Sequence, residues 1–324
     1  TNPYFADSFS TSVSVMLRPV RFNLRSSFNT RAFSASTVHT YNSLDALKDA
    51  HVDTFRQQCF SPEQPGLLPR SQFRDLPALN NWFQSSPTTA TRLNDEYLRT
   101  HASNAFVPLE LTENTSRAPT DGTEPGATEA VNFRKFHAPL TLFLDWVRMA
   151  EISPQPAQLY LAQCQLMDLP PVLRDDFPTP QIVVQAGKGD VYDTNVWIGH
   201  PPTYTPLHRD PNPNLFVQLA GQKVVRLLAP AEGQVLFARA RRELGQSGGK
   251  DAAAFRGEEM MQGQERALLD DMVWGVSASA GPESGHRYEV HLEAGDGLFI
   301  PKGWWHSIKG IGEGVTASVN WWFR

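Results

Sequence analysis

Cysteine is nearly absent: Cys59 and Cys164 are the two in 324 residues. They are too few and too unpatterned for a disulfide framework or a zinc site. A zinc-based chromatin-reader module is therefore excluded from this chain, and the thiols fit a reducing intracellular setting. Long apolar runs are lacking too. No stretch approaches the roughly 18 apolar residues of a membrane-spanning helix, so no membrane insertion is expected. Basic excess is also missing. Lys and Arg number 29 against 34 Asp and Glu, a net charge of −5, which gives no signature of DNA binding. One absence is local: residues 8–44 contain neither Asp nor Glu. That stretch is rich in Ser and carries Arg18, Arg21, Arg25 and Arg31. On a helix, Arg18, Arg21 and Arg25 fall on one side, with Leu17, Val20 and Leu24 beside them. An acid-poor leader rich in Arg and Ser has the composition of a mitochondrial transit peptide. Residues 31–36 resemble a processing site for such leaders, and Met16 is a candidate start. Residues 1–40 are thus expected to be an import leader or a disordered basic tail. The first reading places the protein in mitochondria, the second in the cytoplasm or nucleus.

The chemistry-bearing residues lie in the C-terminal half. His208-Arg209-Asp210 is followed far downstream by His306. A His-x-Asp with a distant second His is the ligand pattern of the 2-His-1-carboxylate facial triad, which leaves metal positions open. On a strand, residues i and i+2 share a face, so His208 and Asp210 can aim into one cavity while Arg209 points away. The third ligand then comes from a neighbouring strand. A lone His-x-Asp is more often a surface or hydrogen-bonded core pair, so the surrounding text decides. Gly295-Asp296-Gly297 reads as a turn, Leu298-Phe299-Ile300 as a short buried strand, and Pro301-Lys302-Gly303 as another turn ahead of Trp304-Trp305-His306. The remaining histidines, His39, His51, His101, His137, His200, His286 and His291, have no such context.

Residues 181–323 resemble the JmjC (jumonji-type, cupin-like) family of Fe(II)- and 2-oxoglutarate-dependent oxygenases. The matching segments are Asn195-Val-Trp-Ile-Gly199, Thr205-Pro-Leu-His-Arg-Asp210, residues 214–223, residues 295–306 and Ser318-Val-Asn-Trp-Trp-Phe323, in the family's order. Tyr160-Leu-Ala-Gln163 is similar to the family's smaller hydroxylase-type members. The resemblance implies Fe(II) held by His208, Asp210 and His306, with 2-oxoglutarate and O₂ as co-substrates. It implies that Lys223 binds the C5 carboxylate of 2-oxoglutarate. Thr205, Asn214 and Tyr160 match co-substrate positions, and Asn320 matches a pocket-lining polar position. Taken alone, Lys223 would read as a surface lysine beside a turn, and Thr205 or Asn214 as turn residues. Trp304, Trp305, Trp321 and Trp322 either line the pocket or are plain core.

The implied reaction is hydroxylation of a protein or RNA residue, with release of succinate and CO₂. The alternatives are lysine N-methyl demethylation by the same chemistry and a catalytically silent cupin that only binds. Zn or Mn could occupy the same N/O ligands.

The element pattern agrees with a mainly β fold with flanking helices: a double-stranded β-helix (cupin or jelly-roll barrel) with a helical N-terminal extension. Helices are expected over 42–56, with Ser43 as N-cap, over 75–83 with Pro at the first turn, and over 139–149. An exposed loop is expected over 112–130. Strands are expected at 182–184, 191–198, 215–219, 223–228, 288–292, 298–300, 305–308 and 315–323. The organisation is then a leader (1–40), a helical and loop region packing on the barrel (41–155) and a catalytic domain (156–324). An insertion over about 231–285 carries helices near 232–244 and 258–272. It either shapes substrate access or is a solvated excursion.

Overall fold

A computed structural model describes residues 41–86, 89–115, 130–248, 258–275 and 286–324. The expected leader lies outside the described residues, as do 249–257 and 276–285 of the insertion.

The N-terminal part supplies β1 (Asn42–Ser43), β2 (Gly66–Leu67), the hairpin β3 (Phe83–Ser86) and β4 (Thr89–Leu93), and the long hairpin β5 (Phe106–Thr115) and β6 (Ala130–Pro139). The C-terminal part supplies β7 (Ala157–Gln165), β8 (Val191–Gly199), β9 (Thr203–Arg209), β10 (Asn214–Ala220), β11 (Gln222–Leu228), β12 (Arg287–Leu292), β13 (Gly297–Ile300), β14 (Trp305–Ile311) and β15 (Thr316–Phe323). Two main sheets result, ordered β1-β12-β11-β14-β9 and β2-β13-β10-β15-β8-β7-β5-β6, and the β3-β4 hairpin stands apart as a two-stranded third. Their antiparallel pairing is that of the double-stranded β-helix, as expected.

Period-two alternation sends the side chains of these strands to two buried faces. Phe216, Leu227, Leu292, Leu298 and Ile300 form an apolar plug with Trp304. Leu215, Val217, Leu219, Val319 and Trp321 point the other way, into a larger core shared with the N-terminal helices. Those helices are α1 (Val52–Phe55), which continues as a π-helical turn over Arg56–Phe60, α2 (Pro77–Asn81), α3 (Asp95–Ala102) and α4 (Leu140–Ile152). The short α5 (Pro171–Arg174) and α6 (Gln181–Gln185) complete that layer. On the other sheet, Leu207, Leu228 and Trp305 pack beneath α7 (Pro230–Glu243) and α8 (Gly263–Trp274) of the insertion. Gly233 of α7 lies flush on Trp305: a Cβ there would sit 2.1 Å from the indole. The β10–β11 turn needs Gly221, whose φ is +61°.

Several expectations are corrected. The helix over 42–56 is confined to α1. Asn42 and Ser43 pair in parallel with Tyr288 and Glu289 at the edge of β12. Sheet pairing overrides local helix preference there, and Ser43 caps nothing. Ile182, expected on a strand, opens the buried side of α6 with Val183, while Val184 stays exposed. Pro180 sits at the N-cap with an extended backbone, and its fixed φ suits that entry. The N-terminal extension is less helical than expected, because β5 and β6 extend the larger sheet through β7. Residues 112–115 finish β5 rather than forming a loop, and 116–129 lie outside the described residues. The helices expected over 75–83 and 139–149 are α2 and α4, and those of the insertion are α7 and α8.

Candidate metal centre and co-substrate cavity

β9 and β14 lie side by side, and His208 pairs directly with His306. The two imidazole centroids are 4.1 Å apart. Each ring is tethered in the same way. His208 Nδ1 is 2.9 Å from the Pro206 carbonyl, and His306 Nδ1 is 3.1 Å from the Trp304 carbonyl. A carbonyl only accepts, so each Nδ1 carries a proton, which leaves Nε2 as the ring atom able to offer a lone pair to a metal. Both Nε2 atoms face Asp210. His208 Nε2 is 3.8 Å from Asp210 Oδ1, and His306 Nε2 is 3.7 Å from Oδ2.

Asp210 sits one residue past the end of β9, so strand alternation alone does not aim it. Two neutral donors do: Trp322 Nε1 at 3.0 Å and Asn214 Nδ2 at 2.9 Å, both on Oδ2. Burial would push the carboxyl up. The His306 and His208 imidazoles and these hydrogen bonds outweigh it and hold Asp210 below its ordinary value. Burial, reinforced by His208 and opposed by Asp210, pushes His306 down to about 4. An ionised carboxylate beside an imidazole that burial keeps from taking up a proton suits a divalent cation. Among the described residues, this is the one cluster of three such groups within 4.8 Å of one another.

The cluster opens into a cavity of about 780 Å³. Lys223 and Tyr160 line the same cavity. The Lys223 side chain is buried, donates from Nζ to Ser318 Oγ at 2.8 Å, and lies 3.4 Å from the Tyr160 hydroxyl. No carboxylate pairs with it among the described residues. Burial pushes its ammonium down to about 7. Burial, and then Glu110, push the Tyr160 phenol up, so it stays protonated. A surface-lysine reading of Lys223 is therefore overturned.

The other expected positions divide. Thr205 lines the cavity. Asn214 lies against Asp210, and Asn320 Nδ2 donates to Asn214 Oδ1 at 2.8 Å. The Asn320 Oδ1 is buried with no partner among the described residues. Of the four tryptophans, Trp322 alone bonds to the cluster. Trp304 donates to the Glu63 carbonyl at 3.0 Å, Trp305 supports α7, and Trp321 is core. Ser318 was not anticipated, although period two from Asn320 and Trp322 would have found it on the same face. Glu110, ion-paired to Lys135 at 3.1 Å, and Met260 and Met261 of the insertion also line the cavity. They lie far away in sequence, and no local pattern marks them.

The Cupin-like domain family matches residues 52–324. The chain is 25% identical over 280 residues to the Jumonji C domain-containing protein 5 of Drosophila melanogaster, covering 84% of this chain and 58% of that protein. It is 29% identical over 227 residues to the Lysine-specific demethylase JMJ30 of Arabidopsis thaliana, covering 70% and 45%. Over 80 residues it is 40% identical to the Lysine-specific demethylase 8 of Danio rerio, covering 24% and 20%. The chain spans about half the length of the first two of these curated relatives.

Proposed function

Since the chain belongs to the cupin-like JmjC family, we propose that it is an Fe(II)- and 2-oxoglutarate-dependent dioxygenase that hydroxylates a protein or RNA residue. One observation carries this reading. A His-Asp-His donor set and a buried lysine with no carboxylate partner among the described residues face one cavity. The donor set suits iron: two imidazole nitrogens and one carboxylate oxygen, with open positions. The lysine suits the far carboxylate of a dianion.

In this reading His208, Asp210 and His306 hold the metal. Iron, when bound, supplies the O₂ chemistry that decarboxylates 2-oxoglutarate to succinate and CO₂ and hydroxylates a C–H bond. The chain's own residues bind and orient. Lys223 pairs with the C5 carboxylate, and Ser318 and Tyr160 fix its ammonium. Taking a proton from solvent, Lys223 becomes charged as the dianion arrives. Thr205 offers a hydroxyl on the same wall. The tethered Nδ1 atoms keep both imidazoles in the tautomer that leaves Nε2 free.

The test is succinate formation from 2-oxoglutarate with Fe(II), ascorbate and O₂, beside His208→Ala. Turnover lost in the variant supports the assignment. Absence of turnover together with absence of 2-oxoglutarate binding leaves a silent cupin. The names of the Arabidopsis and zebrafish relatives favour lysine N-methyl removal as the second reading. Formaldehyde release from methylated peptides separates it from stable hydroxylation. We also propose mitochondrial import from the composition of residues 1–40. A fluorescent fusion to residues 16–45 that stays cytosolic or nuclear would rule it out.

A further inference from the structure

Thr205 and His208 are three residues apart, yet both line the cavity. Simple alternation puts residues at odd spacing on opposite faces. A slip in register resolves the conflict: His306 pairs with His208 while Ile308 pairs with Thr205, so three steps on β9 face two on β14. Such bulges re-aim side chains beside active sites. Pro206 lies within this bulge and has no N–H for the ladder. Ser307 of β14 ties the bulge down, donating from Oγ to the Thr205 carbonyl at 2.8 Å. Its hydroxyl in turn accepts from the Trp274 indole at 2.9 Å. Ser307 is fully buried.

Trp274 is the last residue of α8 and belongs to the insertion. Its seat on the outer face of the smaller sheet is elaborate. The Arg226 guanidinium lies 4.4 Å from both the Trp274 and the Tyr41 rings. Arg226 also donates to the Val273 carbonyl and pairs with Glu289 at 2.6 Å. Lys309 lies 4.8 Å over Trp274 and pairs with Asp270 of α8 at 2.9 Å. A solvated excursion would need none of these contacts.

We propose that the insertion braces the metal centre from outside the barrel, with Trp274 and Ser307 as positioning residues that lock the β9–β14 bulge. The lock reaches the ligands through the backbone. The Pro206 carbonyl inside the bulge orients His208, and Ser307 directly follows His306. A loosened bulge lets both rings swing, and a metal site pays for disordered ligands in affinity. The inference rests on reading His208, Asp210 and His306 as a metal centre.

The experiment uses the full chain with Trp274→Phe, Ser307→Ala and the double variant. Mn(II) affinity is measured by calorimetry, and the thermal midpoint is followed alongside. Each single variant is expected to weaken Mn(II) binding about tenfold, within the range for groups that orient ligands. The double variant should lose little more than either single one, because both cut one chain of contacts. Single variants that bind Mn(II) within about twofold of wild type overturn the proposal, even if their midpoints fall, since α8 would then be packing alone. Fully additive losses overturn the shared route. Ser307→Ala removes a single oxygen, so it remains decisive if Trp274→Phe does not fold. Failure of the wild type to bind Mn(II) would instead remove the metal-centre reading, and the brace with it.

Discussion

Replacing Lys223 by Met should stabilise the metal-free protein while abolishing co-substrate binding. The ammonium falls from an ordinary value of 10.5 to about 7 because burial disfavours its charge. At about 1.4 kcal/mol per unit, that difference corresponds to about 5 kcal/mol. The sign follows from linkage. Between about 7 and 10.5 the unfolded chain holds a proton that the folded chain gives up. The penalty is therefore absent above pH 10.5, grows as pH falls, and is complete below about 7. Methionine is similar in length and carries no charge. It forfeits the hydrogen bond to Ser318, worth about 1 kcal/mol. The net gain is then about 4 kcal/mol at neutral pH, shrinking towards zero or below in alkali. Urea unfolding with a chelator present, at several pH values from about 6.5 to 10, reads this directly. A variant that is no more stable than wild type at neutral pH, or whose gain does not change with pH, would show that burying the Lys223 ammonium carries no such penalty.

Two further outcomes follow from the same structure. Burial lowers His306 from 6.5 to about 4, so the unfolded chain takes up the proton first, and metal-free stability should drop as pH falls across that window. Equilibrium unfolding of His306→Leu should show a flatter profile there; an unchanged slope would contradict the shift. Gly221→Ala should destabilise the fold by about 1–3 kcal/mol, because its φ is +61° and a Cβ would sit 2.5 Å from the Val315 carbonyl. A thermal midpoint equal to wild type would show that the turn accommodates a side chain.

The legible part of the molecule was the part governed by short-range patterns. Residues 298–300 and the hairpin around Gly221 announce themselves through apolar strands and turn residues, and the structure forms β13, β10 and β11 there. The His208, Asp210 and His306 set was visible through its motifs together with the resemblance to the JmjC family, and the fold brings these residues together. Other features depend on partners distant in sequence. Asn42 and Ser43 become a strand because the edge of β12 is available. Ile182 and Val183 look like strand residues, yet α6 buries them against the helical layer. The aim of Asp210 depends on Trp322, over a hundred residues away and readable before folding only as another aromatic on a strand. The insertion's hold on Ser307 has no sequence pattern at all.

In the proposed function, one cavity joins a metal site at His208, Asp210 and His306 to Lys223, which receives the dianion. Calorimetric titration of 2-oxoglutarate, with and without Mn(II), tests it most directly when run near pH 7.5 in two buffers of different ionisation enthalpy. Binding is expected to require the metal, to take up most of a proton as Lys223 becomes charged, and to disappear in Lys223→Met. Binding of equal strength without metal, or metal-dependent binding that Lys223→Met leaves intact, would contradict it.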